Sequence, residues 1–199
     1  MAIFQRAMPP KHHQLQAVEA LPSDGEASAE AIDMRVNESV TDDEFRTVMR
    51  QVVSSVAIVT ARSGKVRNGL TATAVCSVSA EPPAMLICVN RRATAEGLIA
   101  ESGAFAINVL TEDQHQIARL FSTSKLGADE RFAEGKWMSM VTGAPVLDGA
   151  AAAFDCQVLE RIVSGTHHIY IGRVVAAASL DQHALLYRDG LFRKLAAGS

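Results

Sequence analysis

The chain is poor in the residues that build several common kinds of site. Its 199 residues include three cysteines, Cys76, Cys88 and Cys156. They are odd in number, far apart and set in apolar runs, and no CxxC occurs. A thiol-built zinc site is therefore not expected, and the pattern predicts buried free thiols in a reducing compartment. No apolar run approaches the roughly eighteen residues needed to span a bilayer. Arg6, Lys11, His12 and His13 near the start are not followed by an apolar segment, so no secretory signal is expected and a cytoplasmic location follows by default. Charge of one sign is also scarce: the net charge is −3, which argues against nucleic acid or a polybasic membrane anchor as partner. GxGxxG is missing, and Lys65-Val-Arg-Asn-Gly69 is no phosphate-binding P-loop, because its lysine precedes the glycine. No Ser–His–Asp or Cys–His spacing stands out.

Hydrophobic residues make up 48% of the chain, enough to bury the core of one domain. Residues 1–38 lack periodicity and read as an N-terminal extension, with the domain proper over 39–199. Thr41-Asp-Asp-Glu44 is a capping box that opens a helix over 41–51, with Phe45, Val48 and Met49 on one face. Strands are expected over Val52–Thr60, Leu70–Ser79 and Ala84–Asn90, with Ser63-Gly64-Lys65 as a turn and Glu81-Pro82-Pro83 as a break. A short helix over Thr94–Glu101 and a strand over Ala104–Leu110 follow. Thr111 with Gln114 forms a second capping box, opening a helix through Phe121 whose apolar face carries Ile117 and Leu120. Ser122–Gly135 is polar and irregular. Phe154–Val163 and His168–Ala178 read as two long strands around Ser164-Gly165-Thr166, and a closing hairpin joins Leu185–Tyr187 to Leu191–Leu195 through Asp189-Gly190. Many strands at hairpin spacing with few helices imply a mainly β protein, an antiparallel barrel with helices at its margins, and not an alternating βα domain.

Two segments suggest a ligand. Asn68–Ala80 carries Thr71, Thr73, Ser77 and Ser79 where a core strand would carry Val or Ile. Small side chains and hydroxyls let a flat polar ligand lie against the main chain; an edge strand with a hydroxyl solvent face is the other reading. Val89-Asn-Arg-Arg-Ala-Thr94 runs into a helix, with Thr94 placed to cap it and Arg91 and Arg92 supplying fixed positive charge. That arrangement suits a phosphate, and a solvated basic turn is its alternative. His167 and His168 follow a tight turn and alternate between faces, so at most one enters a given pocket. A metal site would need further ligands, for which Asp155 or Asp181 are only guesses, and no metal is expected. Trp137 and Phe132 bracket Gly135 as either a mobile lid or a satellite cluster.

The ordered set of motifs resembles the flavin reductase family, the small reductase components of two-component flavin monooxygenases. The matching segments are Gly69–Ser79 with Pro82-Pro83, Cys88–Arg91, Phe105–Leu110, Arg131-Phe132 through Trp137, Gly165–Gly172 and Tyr187–Phe192, together covering about residues 42–196. The resemblance implies a split β-barrel of the FMN-binding type, with antiparallel Greek-key strands, that forms a homodimer. It binds FMN or FAD and uses NADH or NADPH. Thr71, Ala72, Thr73, Cys76 and Ser77 would lie along the isoalloxazine. Asn90, Arg91 and Thr94 would sit near the ribityl phosphate, and Asn68, Tyr187 and Arg188 would complete the flavin site. His167 matches the family's Gly-Asp-His histidine, associated with the nicotinamide nucleotide, although Thr166 stands where that motif has Asp. No general acid or base is implied, since hydride transfer between stacked rings rests on positioning. The acceptor of the electrons would be free flavin passed to a partner oxygenase of the 4-hydroxyphenylacetate type. The alternatives are a retained flavin that reduces a cobalt corrinoid, or a non-catalytic flavin-binding barrel.

Overall fold

A computed structural model describes residues 39–196; the expected N-terminal extension, 1–38, lies outside them. The capping box at Thr41 forms as its spacing dictates: Glu44 N–H donates to Thr41 Oγ1 at 3.3 Å and Thr41 N–H to Glu44 Oε2 at 2.9 Å. It opens α1 (Asp42–Met49). Then come β1 (Ser54–Ser55), β2 (Ala57–Ser63), β3 (Val66–Ala72), β4 (Val75–Ala80), β5 (Pro83–Asn90), α2 (Thr94–Ser102) and β6 (Ala104–Val109). The second half holds α3 (His115–Ser122), α4 (Ala128–Arg131), β7 (Trp137–Ser139), β8 (Pro145–Leu147), β9 (Ala152–Ser164), β10 (His167–Ser179), β11 (Leu186–Arg188) and β12 (Leu191–Arg193).

Seven strands form one antiparallel sheet in the order β3-β2-β6-β9-β10-β5-β4, while β1, β11 and β12 form a second sheet and β7 and β8 a third. The large sheet ends in β3 on one side and β4 on the other, yet these two strands are consecutive in the chain. Only Thr73 and Ala74 separate them, a link that reaches at most about 11 Å from Ala72 to Val75. The sheet must therefore curl until its two edges nearly meet, which makes the split barrel. Sequence periodicity alone made Leu70–Ser79 one strand; in the structure it is two, broken at this corner, where Val75 N–H turns back to Thr73 O at 3.1 Å.

Strand β2 is buried along most of its length and separates two cores. Alternation sends Ala57, Val59 and Ala61 into the barrel with Ile87, Val89, Phe105, Ile107 and Tyr170. Val56 and Ile58 face the other way, into a cluster with Leu110, Ile117, Phe121, Phe132 and Leu185. Phe132 and Trp137 pack edge-on at 4.8 Å and both meet Phe121. The pair is thus a satellite cluster and not a lid. The polar stretch after Ser122 contains the one-turn helix α4, and the small hairpin β7–β8 beyond it has too few residues to show a period. The helix expected from Thr111 starts later: Gln114 is the residue before α3, and its Oε1 accepts from Thr111 N–H at 2.9 Å as part of a turn.

Buried polar side chains pin the segment around β8. Asn108 accepts from Leu147 N–H at 2.7 Å and donates to Ile58 O at 3.1 Å. Asp155 accepts from the backbone of Val141 at 2.7 Å and Thr142 at 2.8 Å, and from the Thr142 hydroxyl. Its carboxylate is thereby committed to a loop and not to a metal.

In β10, Gly172 sits beside a register shift against β9, and a Cβ there would lie 2.6 Å from the Phe105 ring and 3.0 Å from Cys156 Cβ. Phe105 is fully buried and has nowhere to retreat. Gly172→Ala should therefore destabilise the fold by about 1–3 kcal/mol through overpacking, measured as a lowered urea midpoint with an unchanged slope.

Candidate functional site

The corner between β3 and β4 opens onto a concavity of about 400 Å³. Thr71, Ala72 and Thr73 form one side, Ala118, Arg119 and Ser122 of α3 another, and Tyr187 with Gly190–Phe192 a third. Tyr187 and Phe192 face each other across the β11–β12 hairpin with ring centres 6.0 Å apart. The hairpin is made possible by Asp189 and Gly190, at φ 50° and 76°, the pair of positive φ values that a two-residue turn of this twist requires. Arg119 stands 5.6 Å from the Phe192 ring centre. The Thr71 hydroxyl is bonded to Ala118 O at 2.7 Å, so Thr73 is the freer hydroxyl of the two.

Asn68 is buried, and its carboxamide oxygen accepts from Arg131 Nη1 at 2.7 Å and from Gly69 N–H at 2.8 Å. Its side-chain oxygen thus positions the strand and the buried guanidinium. Arg131 is itself buried. It donates from Nη2 to Thr123 O at 2.9 Å, while its Nε has no partner among the described residues. No periodicity pointed to this guanidinium; only the Arg131-Phe132 dipeptide of the family pattern could have. Arg188, next to Tyr187, donates to Gln51 Oε1 at 2.7 Å on the surface and is not among the residues lining the concavity.

The expectation of three buried thiols needs correcting. Cys156 is buried, and burial, with Asp155 adding to it, pushes its thiol up to about 12. Cys88 is half-buried, and its pKa is raised by burial and then by Cys76. Cys76 is exposed, because β4 is an edge strand whose residues, Ser77 among them, face out.

A second concavity, of about 560 Å³, is lined by Asn90, Arg91, Arg92, Gly165 and Thr166. Its walls are the end of β5 and the β9–β10 turn, held together by the ladder that pairs His167 with Asn90 and by Arg91 N–H donating to Thr166 O at 3.0 Å. Asn90 Oδ1 accepts from Arg92 N–H at 2.9 Å, which shapes the turn that carries both guanidinium groups. Ala93, not Thr94, is the residue preceding α2, and no side chain caps it; Thr94 opens the helix with its side chain exposed. The Thr166 hydroxyl lies 2.9 Å from His167 Nδ1, so a hydroxyl orients this ring where a carboxylate would in the family motif. The two concavities share no residue, but Ala74 O accepts from Cys88 N–H at 3.1 Å, and Asn90 is two residues, roughly 7 Å, further along β5.

Beside the second concavity lies a cluster that no sequence pattern signalled. One carboxylate oxygen of Glu96, in the first turn of α2, is 2.5 Å from His168 Nδ1 and accepts from Tyr170 Oη at 2.7 Å. Tyr170 is 1% exposed, and the Glu96 and His168 side chains are 13% and 11% exposed. Partial burial works to raise the Glu96 pKa, but the hydrogen bonds from Tyr170 and His168, the charge of His168 and that of Arg161 outweigh it and hold it below the ordinary value. Burial, reinforced by the bond to Glu96, pushes Tyr170 up to about 12. A raised folded pKa means that this group's contribution is complete below the unfolded value near ~10 and is lost as pH rises toward the folded one. Stability should therefore fall between about pH 10 and 12, and Tyr170→Phe should flatten that fall in urea titrations. The lowered Glu96 pKa works in the opposite range, its contribution being lost as pH falls below about 4.

The chain matches the model of the flavin reductase like domain over residues 49–196. An FMN reductase (NADH) RutF from Stutzerimonas stutzeri is 39% identical over 149 residues, 74% of this chain and 85% of that protein. One of the same name from Yersinia enterocolitica is 34% identical over 178 residues, 89% and 96% of the two chains. Among solved structures, the NADH:FAD oxidoreductase SgcE6 of Streptomyces globisporus superposes with a TM-score of 0.74 at 30% identity, covering 78% of this chain and 94% of that one. BorF, the flavin reductase component of a bacterial two-component tryptophan halogenase, does so at 0.73 and 32%, covering 79% and 100%. A curled sheet with its corner at Thr73-Ala74, a basic turn after β5 and relatives that match most of both chains lead to one assignment: the chain belongs to the flavin reductase like domain family.

Proposed function

We propose that the protein is an NADH:FMN oxidoreductase whose reduced flavin is passed to a partner oxygenase. The observation that carries this reading is the pairing of an aromatic-walled corner with a basic concavity, joined through Ala74 and the end of β5. The residues present fit a flavin. The corner at Thr71–Thr73 ends an edge strand whose outward side faces no further strand, Tyr187 and Phe192 offer apolar surface for a ring, and Arg91 and Arg92 offer fixed charge for a phosphate. When bound, flavin supplies the acceptor for a hydride leaving the reduced nicotinamide.

The protein's part is to position and to exclude water. Main chain at 71–74 would hold the ring edge, Arg91 would hold the phosphate, and His167, oriented by Thr166, would contact the nicotinamide nucleotide. The names of the RutF relatives favour FMN and NADH, and a halogenase reductase among the structural neighbours favours delivery to an oxygenase. We assign residues 39–199 to the flavin-handling domain and 1–38 to an extension. The free cysteines fit a reducing, cytoplasmic setting. We also assign a homodimer, supported by the apolar side chains left exposed on β4 and β9, such as Val78, Leu159, Ile162 and Val163.

Anaerobic addition of NADH to the protein with FMN should bleach the flavin absorbance; persistence of the band with FMN demonstrably bound would refute the reading. Arg91→Ala removes a charged contact worth about 1.5–3 kcal/mol and should weaken FMN binding tenfold or more. His167→Ala should raise the KM for NADH and leave FMN affinity nearly unchanged, as separate titrations would show.

A further inference from the structure

The basic concavity is built from two elements that meet only at its rim, the 90–93 turn leading into α2 and the β9–β10 turn. The β5–β10 ladder fixes their spacing along the strands. Nothing in that ladder fixes how α2 leans against β10, and a strand pair twists readily about its long axis. Ala95 and Ile99 pack α2 into the barrel core, and Glu96 adds the polar contact from this helix to β10. From the first turn of α2 its one oxygen takes hydrogen bonds from two residues of β10, His168 at 2.5 Å and Tyr170 at 2.7 Å. The two rings stand edge to face, 6.0 Å apart and at 89°. Arg161 on β9 pairs with Tyr170 in register and adds its charge to the same carboxylate.

A carboxylate held by two donors and largely shielded from water is a stiff joint, since charge-assisted hydrogen bonds are about twice as strong as neutral ones. The joint lies one residue from His167, whose ring is oriented by Thr166. We infer that Glu96 is a positioning residue for the reduced nicotinamide nucleotide: through His168 and Tyr170 it fixes the first residues of β10 against α2, and so sets where His167 and the Gly165-Thr166 turn stand relative to Arg91 and Arg92. The inference rests on the flavin reductase reading. It assigns no proton transfer to the cluster, because none of its groups lines either concavity.

The test compares Glu96→Ala, which removes the joint, with Glu96→Gln, which keeps an acceptor oxygen for Tyr170 and His168. Steady-state kinetics with varied NADH, FMN titrations and thermal midpoints are measured on each variant and on the parent protein. Glu96→Ala should raise the KM for NADH about fivefold or more, with kcat and FMN affinity within twofold of the parent, and Glu96→Gln should restore KM most of the way. An unchanged KM in a folded Glu96→Ala variant, with only the thermal midpoint lowered, would make the cluster a mere staple and overturn the inference. Loss of FMN binding in parallel with NADH binding would overturn it as well. Should Glu96→Ala not fold, His168→Asn, which removes one of the two bonds, is read in the same way, with a rise of about two- to fivefold expected. A parent protein that binds FMN but leaves NADH unoxidised refutes the flavin reductase reading and this inference with it. An active parent with an indifferent variant refutes the inference alone.

Discussion

The fold is governed by one topological constraint: the two edges of a seven-stranded sheet are tethered by two residues. Strand pairing fills the sheet from β3 to β4 through β2, β6, β9, β10 and β5, and the chain must still pass from β3 to β4 in a single short step. Twist alone would splay the edges of so wide a sheet. The tether forbids that, so the sheet rolls up and leaves a seam in place of a closing ladder. At a seam the backbone groups are not consumed by neighbouring strands.

The remaining features follow from keeping that roll rigid. Strand β2 carries apolar side chains on both faces and so ties the barrel interior to the cluster under α3. Gly172 lets the Phe105 ring press against the backbone of β10, and the register shifts of the β9–β10 pair let those two 13-residue strands bend around it. Asn108 and Asp155 use buried polar atoms to hold a loop that has little regular structure of its own. Such groups are tolerated inside only because each is bonded. Among the described residues Arg131 is the exception, a buried guanidinium with one nitrogen left unpaired.

Much of this was legible in the residues. The Thr41 capping box, the Asp189-Gly190 turn and the long strands on either side of Gly165 are local signals, and each formed where its chemistry placed it. The corner at Thr73-Ala74 was not legible, because residues 70–79 have the small and β-branched composition of a continuous strand, and the bend is imposed by partners distant in sequence. The start of α3 was misjudged for a related reason: Thr111 is drawn into a bridge with Ala184, so its partnership with Gln114 closes a turn instead of a helix. The hydroxyl ribbon and the basic turn were visible as two candidate ligand segments. That they border separate concavities, and that Asn68 serves Arg131, are facts of three-dimensional packing. The Glu96 cluster joins residues more than seventy positions apart, a distance at which spacing rules carry no information.

Helix α1 is capped at its start and buries none of its residues, with Phe45 57% exposed. Eight residues are too few to be helical by themselves, since isolated helices shorter than about 12–15 residues are marginal in water, and a cap contributes only about 1 kcal/mol. A surface that covered Phe45, Val48 and Met49 would therefore also supply free energy to keep this turn of chain wound. Winding and docking of the segment would then be a single equilibrium, and its helix content a gauge of whether such a surface is in place.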